Sequence, residues 1–543
     1  MSAKQAVFPW STIYLLIAAM LAPRSVVAAR PTCALTTGVV GSGSVEPASG
    51  IYRKNNIITI TAIPDPEWVF DHWEGYLSGA ENPTAIRFTS DVNVVAVFVE
   101  SGPPTPTPSP TPDPSPTPNP TGKEIIGYFI QWGVYRRDYH VKNIVTSGSA
   151  DILTTINYAF AGIGDDLQCE ILDAYADYEK RYDAAESVDG VADLVSQPLK
   201  GSFNQLKKLK AIYPHIRVVI SVGGWSDSAK FSDAALPENR TAFVSSCIDL
   251  FIRGNFDPAN GVVDPGVFDG IDIDWEYPGA CGATCNHRSE DTENFTALLA
   301  EFRTQLDAID PNLLLTIAAP ASEHHYSKIE LEQVHQYLDW INLMTYDFHG
   351  GWEPQGPTNH HANLHASPAD PSQPPMSATT AVQGYLAGGV PADKLTLGLP
   401  FYGHGWTRVP NVDDGLYQPA GGLPRGTWQK GIEDFEVLEA KGYPGFWDPL
   451  AQAHWIYNGK TFWSYDNADS VAAKMDYING QELRGVMFWE LSGDDPGGTL
   501  VSAIGNGLHG VQRDAPQEAG SSGPSAQATQ EPRDLRCTPS SSQ

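Results

Sequence analysis

Three carboxylic acids stand at every second position in Asp272-Ile273-Asp274-Trp275-Glu276, after Phe268-Asp269-Gly270-Ile271. On a strand, side chains alternate between faces, so Asp272, Asp274 and Glu276 share one face while Ile271, Ile273 and Trp275 share the other. Acids crowded on a buried face oppose one another's ionisation, and desolvation opposes it too, so the row should keep at least one proton near neutral pH. A carboxyl group that holds its proton there can serve as a general acid, and Glu276, last in the row, is the candidate. Three other readings compete. An exposed strand also alternates apolar and acidic residues, but its acids need cationic partners, and Lys plus Arg total 34 against 64 Asp plus Glu. A Ca²⁺ or Mg²⁺ site could use the same D-x-D-x-E spacing, but it favours glycine and flexible oxygen ligands over Ile and Trp held in a strand. The row could also be a buried structural network.

The elements that must position the row alternate between strands and helices across residues 123–510. Candidate strands are 125–130, 152–160, 216–222, 268–275, 313–319, 340–346, 394–401 and 485–491. Helical spacing sets Phe203, Leu206, Leu209 and Ile212 on one face, and Phe243, Val244, Cys247, Ile248 and Phe251 on another. Eight strands separated by helices, without a dinucleotide-binding glycine pattern, predict an α/β fold, a (β/α)8 TIM barrel; an open doubly wound sheet is the alternative. In a barrel the acid row points inward and Glu276 lies at the C-terminal rim, where barrel enzymes carry their reactive groups. The gap of about eighty residues before the last strand predicts an inserted α+β subdomain at about 403–483.

The spacing D-G-x-D-x-D-x-E, followed by Tyr277-Pro278-Gly279, resembles the signature of the family 18 glycoside hydrolases, the chitinase family. Ser221-Val222-Gly223-Gly224-Trp225 is similar to that family's S-x-G-G motif, and Met344-Thr345-Tyr346-Asp347 to its M-x-Y-D motif. Tyr128-Phe129 with Trp132-Gly133-Val134-Tyr135 resembles the bacterial members that carry an α+β insertion. The resemblance implies that Glu276 is the general acid and then the base toward water. It implies that Asp274 orients the substrate's acetamido group, that Asp272 shares a proton with Asp274, and that Tyr346 holds the acetamido carbonyl. The sugar's own N-acetyl group then takes the place of a second carboxylate, and the anomeric configuration is retained. Trp489 would lie under the reacting sugar, with Trp132, Phe160, Trp225, Trp352 and Trp428 as further platforms and Met344, Asp347 and Tyr402 beside them. Aromatic faces suit sugars because both surfaces are flat and partly apolar.

Two positions depart from the pattern. His404 stands in Tyr402-Gly403-His404-Gly405-Trp406 where bacterial relatives often carry arginine, and Gln429 follows Trp428 where they often carry glutamate. His349 and the pairs His324-His325 and His360-His361 invite a metal reading, but they lie in loops without a matched ligand set, so no metal and no cofactor is expected. Cys281 and Cys285 could close a small loop after the acid row. Cys169 and Cys247 are a second candidate pair, with a buried unbonded Cys247 as the alternative.

The rest of the 543-residue chain reads as export and spacing. Lys4 followed by the apolar stretch 13–22 and the small residues Val27-Ala28-Ala29 reads as a signal peptide over 1–29, the alternative being an N-terminal anchor. Residues 33–100 alternate as a small all-β module that resembles bacterial internalin B-repeats. Its Trp68, Trp73 and Tyr76 are expected in its core, with a sugar-stacking face as the alternative. Ten prolines within 101–122 predict an extended linker, and 511–543, with Cys537, reads as a disordered tail. A net charge of -30 repels phosphate backbones, which argues against nucleic acid as a partner. The whole predicts a secreted, extracellular, monomeric chitinase that acts on chitin or chitooligosaccharides, with no membrane association once the signal is removed. An endo-β-N-acetylglucosaminidase and a non-catalytic chitin-binding lectin are the alternatives.

Overall fold

A computed structural model describes residues 32–54, 57–65, 68–77, 79, 82, 84–87, 90–100 and 122–508. The expected signal segment, the tail with Cys537 and all of the linker but Gly122 lie outside the described residues. The described residues form two units, within 32–100 and 122–508.

The first unit holds β1 (Thr32–Val40), β2 (Gly43–Glu46), β3 (Gly50–Arg53), β4 (Ile57–Pro64), β5 (Trp68–Gly75), β6 (Thr84–Arg87) and β7 (Val92–Glu100). They form one sheet in the order β3-β1-β7-β5 and another in the order β2-β4-β6. Val92, Val94, Ala96 and Phe98 are buried along β7 while alternate residues are more open, the period-two pattern of a sheet with one covered face. Ile60, Ala62, Trp73 and Ile86 join the same core. Trp68 packs against that core half-buried, and Tyr76 is exposed, so of the three aromatic residues only Trp73 is fully inside.

The second unit is a closed barrel. Its strands are β8 (Glu124–Ile130), β9 (Thr155–Ile163) with the short β10 (Cys169–Ile171) at its edge, β11 (Arg217–Gly223), β12 (Gly270–Asp274), β13 (Leu314–Pro320), β14 (Trp340–Met344) and β15 (Leu395–Pro400). An insertion follows with β16 (Tyr402–Thr407), β17 (Ile432–Asp434), β18 (Gly445–Asp448), β19 (Ala453–Tyr457) and β20 (Thr461–Tyr465), and β21 (Gly485–Trp489) completes the barrel. Pairing runs β9-β11-β12-β13-β14-β15-β21-β8, all parallel, and β8 pairs with β9 to close the ring. The open doubly wound sheet is therefore excluded. Helices α1 (Gly201–Ile212), α2 (Pro237–Cys247), α3 (Asp291–Asp307), α4 (Ala378–Ala387), α5 (Ala468–Gly480) and α6 (Thr499–Leu508) belong to the same unit.

Barrel strands are buried on both faces, and the two faces hold different chemistry. Val218, Ile220, Val222, Ile271 and Ile273 pack in the large outer core with helix residues such as Phe203 and Leu299. Inside the ring, Ile126, Tyr128, Val219, Leu314, Trp340 and Met487 form a second core topped by Phe160, Met344, Tyr346 and Trp489. The insertion is a five-stranded antiparallel sheet, ordered β17-β16-β20-β19-β18, with its own core of Trp406, Trp455, Tyr457 and Phe462. It ends earlier than the expected 483. Helix α5, capped by Asn467, turns Val471, Met475 and Ile478 into the barrel's outer core, so it closes the last strand–helix–strand crossover of the barrel.

Candidate active site

Register decides where the acid row lies. Ser221 pairs with Asp272 and Gly223 with Asp274 between β11 and β12, and Asp272 pairs with Thr316 across to β13. Asp269 anchors the start of β12 by accepting hydrogen bonds from Val218 N (2.8 Å) and Lys210 Nζ (2.6 Å). Gly223 and Gly224 both have positive φ. A Cβ on Gly223 would meet the Asp274 carbonyl oxygen at 2.4 Å, and one on Gly224 would meet the Phe160 ring at 2.6 Å. The G-G pair therefore lets the end of β11 lie against the acid row on one side and the cleft wall on the other.

Asp272 lies deepest. Tyr128 OH (2.7 Å), Ser221 Oγ (2.8 Å), Thr316 Oγ1 (2.5 Å) and Asn342 Nδ2 (3.3 Å) all donate to it. These donors come from four other strands and face inward. Burial still raises the Asp272 pKa against these four bonds. Asp274 is buried with Oδ1 unpartnered, and burial, Glu276 and Asp272 together raise its pKa well above the usual range. Glu276 stands two residues past the end of β12, half-buried and open to the cleft. Its backbone N–H donates to Ser228 Oγ (2.9 Å), while that hydroxyl donates to the carbonyls of Gly224 (2.8 Å) and Asp274 (3.0 Å). Burial raises the Glu276 pKa to about 7, with the Asp347 charge acting in the same direction. All three carboxyls are thus shifted toward their protonated forms, the direction in which crowding and desolvation act.

A cleft of about 660 Å³ opens above the row. Asp274, Glu276, Tyr346, Met344, Asp347, Tyr402, Trp132, Phe160, Trp225, Trp428 and Trp489 all line it. Asp272 is not on this surface but beneath it. Trp352 is exposed outside the lining, its ring 5.5 Å from that of His404. Trp489 forms an aromatic floor with Phe160 (centroids 5.5 Å apart, 19° between planes), and Tyr128 and Trp132 complete the cluster. Among the described residues Tyr346 OH makes a long contact, 3.8 Å, to Met487 Sδ. Burial followed by the charge of Asp274 pushes the Tyr346 pKa well up, so the hydroxyl keeps a proton to donate.

Asp347 lies three residues past the end of β14, with positive φ. Its Oδ1 accepts from Tyr402 OH (2.7 Å) and lies 2.8 Å from His404 Nε2. Burial works against its charge, but the His361 and His404 imidazoles outweigh that and hold the carboxyl well below its usual range. The His360-His361 pair was expected to lie in a loop without a matched ligand set; the structure places His361 against Asp347 and His404.

Sequence reasoning missed the residues that support the site from far along the chain. Arg137 grips Asp434 on β17 with two nitrogens (2.6 and 3.2 Å), and its guanidinium lies 4.6 Å from the centre of the Trp428 ring. Trp428 Nε1 donates to the same Asp434 (2.7 Å), so one carboxylate ties the platform to the barrel. Gln131 and Glu490 also line the cleft. Of these, Gln131 and Glu490 had a signal in the sequence, each directly following a barrel strand; nothing in the spacing joins Arg137 to Asp434. Both candidate cysteine pairs form disulfides, Cys169–Cys247 and Cys281–Cys285.

Residues 124–494 match the family model of Glycosyl hydrolases family 18. The chain belongs to that family. Residues 33–102 match the Divergent InlB B-repeat domain. Chitinase 63 of Streptomyces plicatus is 44% identical over 394 residues, which are 71% of this chain and 61% of the relative. Chitinase C of Streptomyces lividans is 44% identical over 70% of this chain and 58% of its own length. The chain thus spans about six-tenths of these curated relatives. Among solved structures, the catalytic domain of psychrophilic chitinase B from Arthrobacter TAD20 matches with a TM-score of 0.69 and 40% identity, over 73% of this chain and 97% of that one. A Group IV chitinase of Ostrinia furnacalis in complex with allosamidin matches at 0.60 and 29% identity, over 70% and 97%.

Proposed function

We propose that this family 18 barrel hydrolyses the β-1,4 linkages of N-acetylglucosamine polymers, chitin or its oligosaccharides, with retention of configuration. What carries this reading is the geometry: Glu276, its pKa raised to about 7 by burial, opens onto the cleft beside a buried Asp274 with an unpartnered oxygen, at the edge of an aromatic floor. Glu276 gives its proton to the glycosidic oxygen as the C1–O bond breaks. The acetamido carbonyl oxygen of the same sugar bonds to C1 and forms an oxazolinium ion. Asp274 gives up its share of the proton to Asp272, accepts from the acetamido N–H and balances the positive charge, and the Tyr346 hydroxyl donates to the acetamido oxygen. The Glu276 carboxylate then removes a proton from water as the water oxygen attacks C1. The ring opens, and the β-anomer is released.

Asp272, anchored by its four donors, shares a proton with Asp274 and so lets Asp274 turn toward Glu276 and the substrate. Trp489 carries the reacting sugar, with Trp132, Phe160, Trp225 and Trp428 under its neighbours and Met344, Asp347 and Tyr402 along the wall. The chitinase names of the relatives support the choice of polymer. The two disulfides fit an oxidising compartment, which supports export, and no helix among the described residues is long and apolar enough to cross a membrane.

The test is Glu276→Gln together with early-time NMR of the products. Glu276→Gln should keep chitooligosaccharide binding and lose about 10²–10⁴-fold in turnover; activity within tenfold of wild type rejects the assigned acid. A first-formed α-anomer rejects the acetamido mechanism. Faster release of glycans from glycoproteins than of dimers from chitin hexamer would favour the endo-β-N-acetylglucosaminidase reading.

A further inference from the structure

Three groups able to bind a metal meet at the cleft edge, outside the acid row. Asp347 follows β14, His361 lies in the long loop after it, and His404 sits on β16. Each offers one donor atom, and the three donor atoms lie within 4.8 Å of one another. His404 Nε2 is 2.8 Å, and His361 Nδ1 3.7 Å, from Asp347 Oδ1. The two imidazoles are fully or almost fully buried, meet edge to face at 4.9 Å, and leave His361 Nδ1 and Nε2 and His404 Nδ1 without a hydrogen-bond partner. Buried nitrogens are normally satisfied, so this concentration of unmatched ones needs an explanation.

A bound cation explains the unmatched nitrogen that faces Asp347, His361 Nδ1, and would take His404 through Nε2 in place of that atom's bond to Asp347; His404 Nδ1 and His361 Nε2 lie on the far sides of their rings. Two imidazoles and a carboxylate are the donor set of a borderline transition metal, not of Mg²⁺ or Ca²⁺. Zinc–nitrogen and zinc–oxygen bonds of about 2.0–2.2 Å put tetrahedral donors roughly 3.3 Å apart. The two separations from Asp347 Oδ1, 2.8 and 3.7 Å, straddle that spacing, so small side-chain movements would reach it. The Asp347 carboxylate opens onto the cleft, which leaves an outer coordination position for water. We propose that Asp347, His361 and His404 form a binding site for a divalent transition-metal cation of the Zn²⁺ and Cu²⁺ type. Asp347 lines the cleft, so an occupied site lowers turnover; this consequence alone rests on the proposed hydrolase reading.

The test uses the full chain freed of metal by EDTA dialysis, with Zn²⁺ followed by calorimetry and Cu²⁺ by electron paramagnetic resonance. The expected result is one saturable equivalent, with hyperfine coupling from two imidazole nitrogens in the wild-type spectrum. His361→Gln and His404→Arg should each weaken binding at least tenfold. His140→Asn should leave it unchanged, because the second candidate cluster, Asp138, His140 and Glu186, has an exposed Asp138 and a Glu186 engaged by Lys180 at 2.7 Å. The wild-type spectrum decides the matter even if a variant does not fold. The site is overturned by absence of saturable binding, by coupling to fewer than two nitrogens, or by binding lost only in His140→Asn. Turnover of chitin hexamer that falls with Zn²⁺ and returns with EDTA supports occupancy of the cleft, and unchanged turnover at saturation overturns it. The binding arms need no substrate, so they stand apart from any failure of the hydrolase reading.

Discussion

The N-terminal module and the barrel are both built from β-sheet, and both bury tryptophan, but they use aromatic and acidic residues in opposite ways. In the module Trp73 is 2% exposed and anchors a small apolar core, with charged residues on the open faces. In the barrel Trp132 and Trp225 are 41% and 55% exposed along the cleft, while Asp272 and Asp274 are inside. A two-sheet module has one dry interior and spends its large apolar residues filling it. A closed barrel has two interiors. The outer one, under the helices, provides the hydrophobic stability, so the inner one can hold polar groups wherever donors reach them. Aromatic residues are then free to remain open to a ligand.

That contrast is sharpest at Asp272. Replacing it by Ala would strand Tyr128, Ser221, Thr316 and Asn342 in a closed space. At about 1–3 kcal/mol for a buried group left unmatched, the expected loss is several kcal/mol of barrel stability, read by denaturant unfolding, together with loss of turnover. A change below about 1 kcal/mol would mean that water replaces the carboxylate and that the network is not what holds the row. In the module, Trp73→Ala should cost about 3–5 kcal/mol by leaving a cavity, yet leave hydrolysis of soluble chitooligosaccharides unaltered. A parallel fall in kcat would refute the separation of the two units' roles.

The next effect concerns protons. Glu276 is held protonated up to about 7, above its unfolded value, because burial disfavours the charge. The fold therefore gains from the protonated form at low pH and loses that contribution as pH rises through about 7. Activity that needs the acid form should fall across the same range. A kcat/KM profile flat from pH 6 to 8.5 would show that the proton is not held there. The smallest effect is expected at the open tryptophans. Trp225→Ala should raise KM for long oligosaccharides about 3- to 10-fold with little change in the unfolding midpoint, since stacking contributes about 0.5–1.5 kcal/mol. A large loss of stability instead would make Trp225 a core residue like Trp73.

Much of this was legible before any coordinates. Alternation placed Asp272, Asp274 and Glu276 on one face because strand geometry has a fixed period, and eight apolar runs separated by helical spacing called for a barrel. The motif ends Trp225, Tyr346 and Trp489 were legible as cleft residues because barrel strands deliver their C-termini to one rim. The Arg137–Asp434–Trp428 clamp was not legible, since it joins residues nearly 300 positions apart. The partners of Asp272 were not legible either, because each is an ordinary strand residue until the ring closes. Trp352 was expected among the platforms but lies outside the cleft lining, as loop path rather than strand register decides its position.

Local periodicity and composition thus determined on their own that this chain alternates strands and helices, with an acid row on one strand face, a separate β module and a surplus of negative charge. Closure of the barrel and docking of the insertion decided the rest: which acid is fully supplied with donors, which keeps a proton at the cleft, and which histidines meet Asp347. The reason is that strand period and helix spacing are set by neighbours along the chain, whereas desolvation and long-range hydrogen bonds exist only after distant segments have excluded water together.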